Sequence, residues 1–263
     1  MSDHAPAPSF LDPYLGGQRF IQQLSIDCVI LGYCQRGLKV LIPKLDLSED
    51  IWALPSGFIR QEEDINAAAR RIIEHRTGIR EFYLEQFRVY GNPDRIEQPF
   101  FDRLITLMLE KQGRNPSEIE RMQWLNRRFV SIGYYALVDL TTVRPRRTVI
   151  DASIEWLPVA ELPGLILDHN AMIAAALETV RLQFDERHLA FHLLPEQFTM
   201  KEVRQLYETV FGRPFSRTNF QKKILDMEVL DRTAKKFTGA SNRAPYLYHF
   251  RARRRRRSGK QPV

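Results

Sequence analysis

Within GFIRQEEDINAAARRIIEHRTGI, residues 57–79, Gly57, Glu63, Arg71, Gly78 and Ile79 sit at intervals that suit the entry, the body and the exit of a single helix. Carboxylates grouped on such a helix are hard oxygen donors, the set that holds Mg²⁺ or Mn²⁺ against a diphosphate. Here the turn after Arg71 carries Ile72, His75 and Arg76, and its one acid is Glu74. Arg76 cannot coordinate a cation, His75 is a poor ligand for Mg²⁺, and Glu63 with Glu74 are too few for a polynuclear site. The expected chemistry is binding rather than cleavage, with the guanidinium forks of Arg71 and Arg76 available to phosphate or sugar oxygens. The candidate effector pocket is therefore Gly57, Glu63, Arg71, Glu74 and Arg76, with no catalytic residue, metal ligand or cofactor assigned.

The element that must present these groups is legible. Ile65, Ala68, Ala69, Ile72 and Ile73 recur at helical spacing. Glu62, Glu63 and Asp64 crowd the first turn of a helix expected over 62–77, and Gly78 closes it. Upstream, residues 51–55 (IWALP) read as a short strand ending at a Pro-Ser-Gly turn. Residues 24–33 and 37–42 read as two strands about a turn, and 85–91, 129–140 and 154–157 as three more. Residues 159–163 open a turn or short helix, and 169–184 form an alanine-rich helix. Residues 94–128 interrupt the strands as an insertion, with helices expected at 101–109 and 118–128, and serve as a lid, a dimer contact or a plain surface excursion.

The 57–79 stretch resembles the Nudix box, G-x5-E-x7-R-E-U-x-E-E-x-G-U with U aliphatic, and departs from it where the metal-holding glutamates would stand. The resemblance implies an α/β fold, a Nudix-type α/β/α sandwich with a mixed sheet, over roughly residues 20–185. Two function classes stand open on these residues: a ligand sensor, and, as the alternative, a hydrolase of nucleoside diphosphate derivatives with an atypical metal site.

The 263 residues exceed one ordinary domain, and the 44% hydrophobic fraction suffices for cores. No run approaches the roughly 18–20 apolar residues of a membrane span, and residues 1–20 read as a disordered leader rather than a secretory signal. Cys28 and Cys34 are the two cysteines, expected to be reduced, buried thiols of a cytoplasmic protein. Charge is divided unevenly. Residues 188–263 carry 17 Lys and Arg against 6 Asp and Glu, a net of +11, whereas residues 1–187 carry 22 against 26, a net of −4. A faintly acidic body joined to a basic C-terminal segment points to a polyanion-binding module.

In that segment, Thr199 and Glu202 make a capping box for a helix running to Phe211, with Val203, Leu206, Tyr207 and Val210 on its apolar face and Gly212 at its end. Ser216 caps a second helix over 217–227, and strands at 229–233 and 246–250 flank the basic loop 235–245. Helix, short turn, helix and two strands make a winged helix-turn-helix domain at 188–250, followed by a basic tail at 251–263. The second helix would enter the major groove, where Arg, Asn and Gln read base edges. The candidate DNA-binding residues are Ser216, Arg217, Thr218, Asn219, Gln221 and Lys222 on that helix, with Lys223, Lys235, Lys236 and Arg243 for phosphate or minor-groove contacts. The arginine run at 253–257 adds affinity and salt dependence more than specificity.

A degenerate Nudix domain (21–187) followed by LLPEQFTMKEVRQLYETVFGRPFSRTNFQKKILDMEVL resembles the Nudix-related transcriptional regulators of bacteria, the NrtR-type family, over about residues 24–250. The resemblance implies a homodimer that binds a palindromic operator in double-stranded DNA through two winged helices. It also implies an effector in the Nudix pocket, ADP-ribose or a related nucleotide in one branch and a sugar such as L-arabinose in another. The insertion at 94–128 departs from the family pattern.

Overall fold

The computed structural model describes residues 20–34, 37–95, 98–112, 127–235 and 244–251. The chain divides into two compact units, residues 1–193 and 194–263. The helix expected at 118–128 falls largely outside the described residues, as do Lys236, Arg243, the arginine run and all but Phe20 of the leader. No helix among the described residues is long and apolar enough to cross a membrane.

The first unit is built on a six-stranded mixed sheet. Its strands are β1 (Phe20–Cys34), β2 (Gly37–Leu45), β3 (Ser56–Arg60), β4 (Tyr83–Tyr90), β5 (Val130–Val138) and β6 (Asp151–Pro158). The order is β4-β5-β1-β2-β6, with β3 paired to the first part of β1. β1 and β5 run parallel from Leu24 opposite Val130 to Gly32 opposite Val138, while every other pair is antiparallel. A strand central in such a sheet is covered on both faces and reads as a near-continuous apolar run, which is how residues 28–31 read. Helix α1 (Ile65–Thr77) covers one face, and its Ala68, Ala69, Ile72 and Ile73 meet Ile26, Cys28 and Ile30 of β1. Helix α3 (His169–Gln183) packs on β1 and β5 with Met172, Ile173, Ala176 and Val180 buried. The result is the α/β/α sandwich with a mixed sheet that the sequence implied.

Three local expectations are corrected. Residues 51–55 are not a strand; Trp52 makes only isolated bridges to Lys44 and Leu165, and the strand lies one step later, at Ser56–Arg60. Pro55 lacks the amide that a ladder needs, so pairing begins after it. Helix α1 starts at Ile65, not 62, because Asp64 is its N-cap and accepts from the amides of Asn66 and Ala67 at 2.8 and 3.0 Å. Cys28 is buried, as expected, but Cys34 is only half-buried. Within 94–128, helix α2 (Gln98–Gln112) buries Leu104, Leu107 and Met108 in a second apolar cluster with Ile51 and Phe129.

The second unit has β7 (Phe198–Thr199), α4 (Met200–Phe211), α5 (Arg217–Asp226), β8 (Leu230–Lys235) and β9 (Tyr246–Phe250). Its sheet order is β7-β9-β8, so a two-residue strand too short to read from the sequence completes the wing. The capping box is formed, with Thr199 Oγ1 accepting from the Glu202 amide and Glu202 accepting from the Thr199 amide at 2.6 Å. Replacing Thr199 with Ala removes one side of it. The unfolding transition of the winged helix should then lose about 1 kcal/mol, read by urea denaturation of the full chain.

Candidate functional site

The box helix is held by side chains that a hydrolase would use differently. Glu63 lies just before the N-cap and takes two bonds from Arg71, Nε to Oε1 at 2.7 Å and Nη2 to Oε2 at 2.8 Å. Arg71 Nη2 also donates to the Phe58 carbonyl at 2.9 Å, tying β3 to the helix. The Arg71 hydrogen bonds hold the Glu63 carboxyl below its usual range. Both oxygens of Glu63 are thus committed within the fold. Ile72, standing where the box pattern has glutamate, is buried against Gly57. A Cβ on Gly57 would lie 2.8 Å from Ile72 Cδ1, so glycine permits the close approach of β3 to α1.

Arg76 is buried and paired with Asp151 at the start of β6; the same carboxylate oxygen accepts from the Thr148 amide at 2.5 Å and from its hydroxyl at 2.8 Å. The backbone joins the two segments as well, the Arg146 amide donating to the Arg76 carbonyl at 2.8 Å. Glu74 faces outward in a pair with Arg80 at 2.7 Å, and His75 is exposed.

A cavity of about 190 Å³ opens beside this helix, between β1, the start of β3, α2 and the segment leading into α3. Of the five residues proposed from the sequence, Gly57 and Arg76 line it, whereas Glu63, Arg71 and Glu74 do not. Its walls include Leu54, Phe58, Leu104, Met108, Phe129 and Ile166. Its polar groups include Asp27, Arg95 and His169, which the sequence reading missed. One signal was available: Asp27 is a lone acid inside an otherwise apolar strand, where ionised groups stay only when paired.

The pairing is explicit. Asp27 Oδ2 accepts from the Ser131 hydroxyl and from Arg95 Nη2 at 3.3 Å. Arg95 Nε lies 2.8 Å from both oxygens of Asp168. Burial disfavours the charge on Asp27, but His169, hydrogen bonds from Ser131 and Ser56, and Arg95 outweigh it and hold the carboxyl below the ordinary range. His169 is the first residue of α3. Its Nδ1 accepts from the Leu54 amide at 3.0 Å, so the ring proton belongs on Nε2, which faces Asp27 Oδ1 at 3.7 Å. Burial lowers the His169 pKa despite the nearby carboxylate. Among the described residues, no group of three or more His, Cys, Asp or Glu is arranged to hold a metal ion.

In the second unit, α5 buries Phe220 and Ile224 and exposes Arg217, Thr218, Asn219, Gln221, Lys222 and Lys223. Ser216 occupies its N-cap position without a side-chain cap bond. The turn before it is fixed by Glu208, which accepts from the Phe215 amide at 3.0 Å, and by Arg204, which donates to the Phe215 carbonyl at 3.1 Å. Tyr207, Phe215 and Phe220 pack edge to face beneath it, with ring centroids of Tyr207 and Phe220 5.0 Å apart. Lys223 sits over the Tyr207 ring at 5.2 Å, and Lys235 is exposed at the end of β8. The helix thus presents adjacent Arg, Asn, Gln and Lys side chains to solvent, a set able to read base edges and phosphates.

The Arg76–Asp151 pair supplies a stability test. Asp151→Ala leaves a buried guanidinium without its partner and should cost about 3–5 kcal/mol in denaturant unfolding of the first unit. A loss under about 1 kcal/mol would show that the pair is solvated.

Comparison with known proteins agrees with both halves. Residues 190–250 match the NrtR DNA-binding winged helix domain. The chain is 25% identical over 233 residues to the ADPR responsive transcriptional repressor NtrR of Acinetobacter baylyi, covering 86% of this chain and 81% of the relative. The crystal structure of Shewanella oneidensis NrtR superposes with a TM-score of 0.65 at 23% identity, and that of its complex with a 27mer DNA with 0.64, each covering 87% of this chain and 94% of that one. A MutT/nudix family protein of Enterococcus faecalis gives 0.60 at 20% identity, with 88% of each chain covered. Residues 190–250 are thus similar to the NrtR-type winged helix, and the chain as a whole resembles Nudix-related transcriptional regulators of the NrtR type, with Ile72 and Arg76 standing where the Nudix box has glutamates.

Proposed function

We propose that this regulator binds a palindromic operator as a homodimer in the cytoplasm, and that its Nudix-type domain senses a nucleotide of the ADP-ribose class. The observation that carries the DNA half is α5, which exposes Arg217, Thr218, Asn219, Gln221 and Lys222 on one rigid helix over an aromatic core. Arg217 and Asn219 read base edges, while Ser216 and the helix N-terminus meet a phosphate. Lys223, Lys235, Lys236 and Arg243 position the domain along the backbone. The Shewanella protein bound to a 27mer DNA supports this use of the fold, and the ADPR responsiveness of the Acinetobacter repressor supports the effector class.

On this reading Gly57 and Arg76 border the effector, and Glu63, Arg71 and Glu74 shape the helix behind them. The hydrolase alternative loses ground to the same geometry, because Arg71 occupies both oxygens of Glu63 and Arg80 holds Glu74. A sugar effector is the second reading, favoured by a cavity in which both lining guanidinium groups, Arg76 and Arg95, are already engaged by carboxylates.

Arg217→Ala and Asn219→Ala should each weaken cognate DNA by about 1–3 kcal/mol and random DNA far less, whereas Lys236→Ala weakens both. Fluorescence anisotropy at fixed salt reads this, and equal losses on the two DNAs would remove the base-reading role. ADP-ribose incubated with the protein and Mg²⁺ or Mn²⁺ should remain intact. A metal-dependent rate abolished by Glu63→Gln would restore the hydrolase.

A further inference from the structure

Helix α5 turns one stripe of side chains away from its core. Phe220 and Ile224 are buried, whereas Thr218, Gln221, Lys222 and Leu225, spaced by three and four along the helix, are exposed. Together with Arg217 and Asp226 they line a shallow depression on its surface. A recognition helix lays such a face along the floor of a major groove.

One member of the stripe does not suit a polar surface. Leu225 is 42% exposed, and among the described residues of this unit it is the one large hydrophobic side chain that is exposed. A single exposed leucine on an arbitrary surface carries no meaning. Here its neighbours decide. Gln221 and Lys222 stand one turn before it, and Asp226 follows it.

Gln221 and Lys222 supply hydrogen bonds to polar base edges or to phosphate. Leu225 supplies none, and a carboxylate at Asp226 repels the phosphate backbone. This end of the face is therefore suited to bases and not to the sugar-phosphate chain. The major groove exposes one kind of apolar group, the C5-methyl of thymine, and an apolar side chain is what contacts it.

We infer that Leu225 is a specificity-determining residue that packs on a thymine methyl group, so that the protein selects a T·A pair at that step of its operator. This contact rests on the reading of the unit as an operator-binding winged helix, and it names a base for that helix to read.

The full chain first selects a duplex from a random library, and each thymine of that duplex is then replaced in turn by deoxyuridine. Deoxyuridine pairs as thymine does and lacks only the methyl group. In fluorescence anisotropy at fixed salt, replacement of the contacted thymine weakens binding about fourfold for each methyl group lost. Leu225→Ala, which keeps a strong helix former in place, weakens the thymine duplex by a similar factor. It has no effect on the duplex that carries deoxyuridine at that position, and it leaves the salt dependence unchanged, since no phosphate contact is lost. Equal losses on the thymine and deoxyuridine duplexes at every position overturn the proposal. So does a Leu225→Ala chain that still discriminates the two as the parent does, or one whose oligomeric mass changes while that discrimination stays, which assigns Leu225 to a protein contact. Enrichment of no duplex over the random pool removes the operator reading and this contact with it. Enrichment without any deoxyuridine effect leaves the operator reading standing and removes the thymine contact alone.

Discussion

Asp27 stands in the central strand, among residues that are otherwise apolar, and its charge has to be matched where it lies. The match comes from three distant parts of the chain: Ser131 on the neighbouring parallel strand, Arg95 at the entrance to the insertion, and His169 at the head of α3. A buried carboxylate deprived of such partners would either protonate or leave the core. The same network therefore fixes the floor of the cavity, the seat of the insertion through Arg95, and the first turn of the helix that covers the sheet. Arg95 passes the constraint on to Asp168, the residue just before α3.

The box helix is a packing and pairing element where a Nudix box would carry glutamates. Ile72 fills the contact with Gly57, and Arg76 turns to Asp151, so two of the lost carboxylate positions now serve the core. Glu63 and Arg71 keep a bidentate pair that ties β3 to α1. The cavity wall that remains is apolar with few polar groups, which suits a domain that holds a ligand without cleaving it. In the second unit, an aromatic cluster of Tyr207, Phe215 and Phe220 packs under α5.

Much of this was legible from residue types alone. Period-two and period-3.6 patterns marked β1, β2, α1 and α3, and the Thr199–Glu202 capping box fixed the start of α4. What escaped reading depended on partners far apart in sequence. Asp27 gave a hint by its type, but nothing local tied it to Arg95 or His169, which lie 68 and 142 positions away. Arg76 read as a phosphate ligand because a free arginine beside a box suggests one; only folding brought Asp151 against it. The strand expected at 51–55 moved to Ser56–Arg60 because Pro55 cannot join a ladder, and β7 is too short to show a period.

The central claim is that one chain couples an effector cavity to an operator-reading helix. Coupling is reciprocal, so whatever factor the effector applies to operator affinity, the operator must apply to effector affinity. The direct measurement is the affinity of ADP-ribose for the full chain, by calorimetry, with and without saturating operator selected from a random duplex library. The account predicts a shift between the two titrations equal to the shift that saturating ADP-ribose produces in operator affinity. Identical ADP-ribose affinities in the presence and absence of bound operator would contradict it.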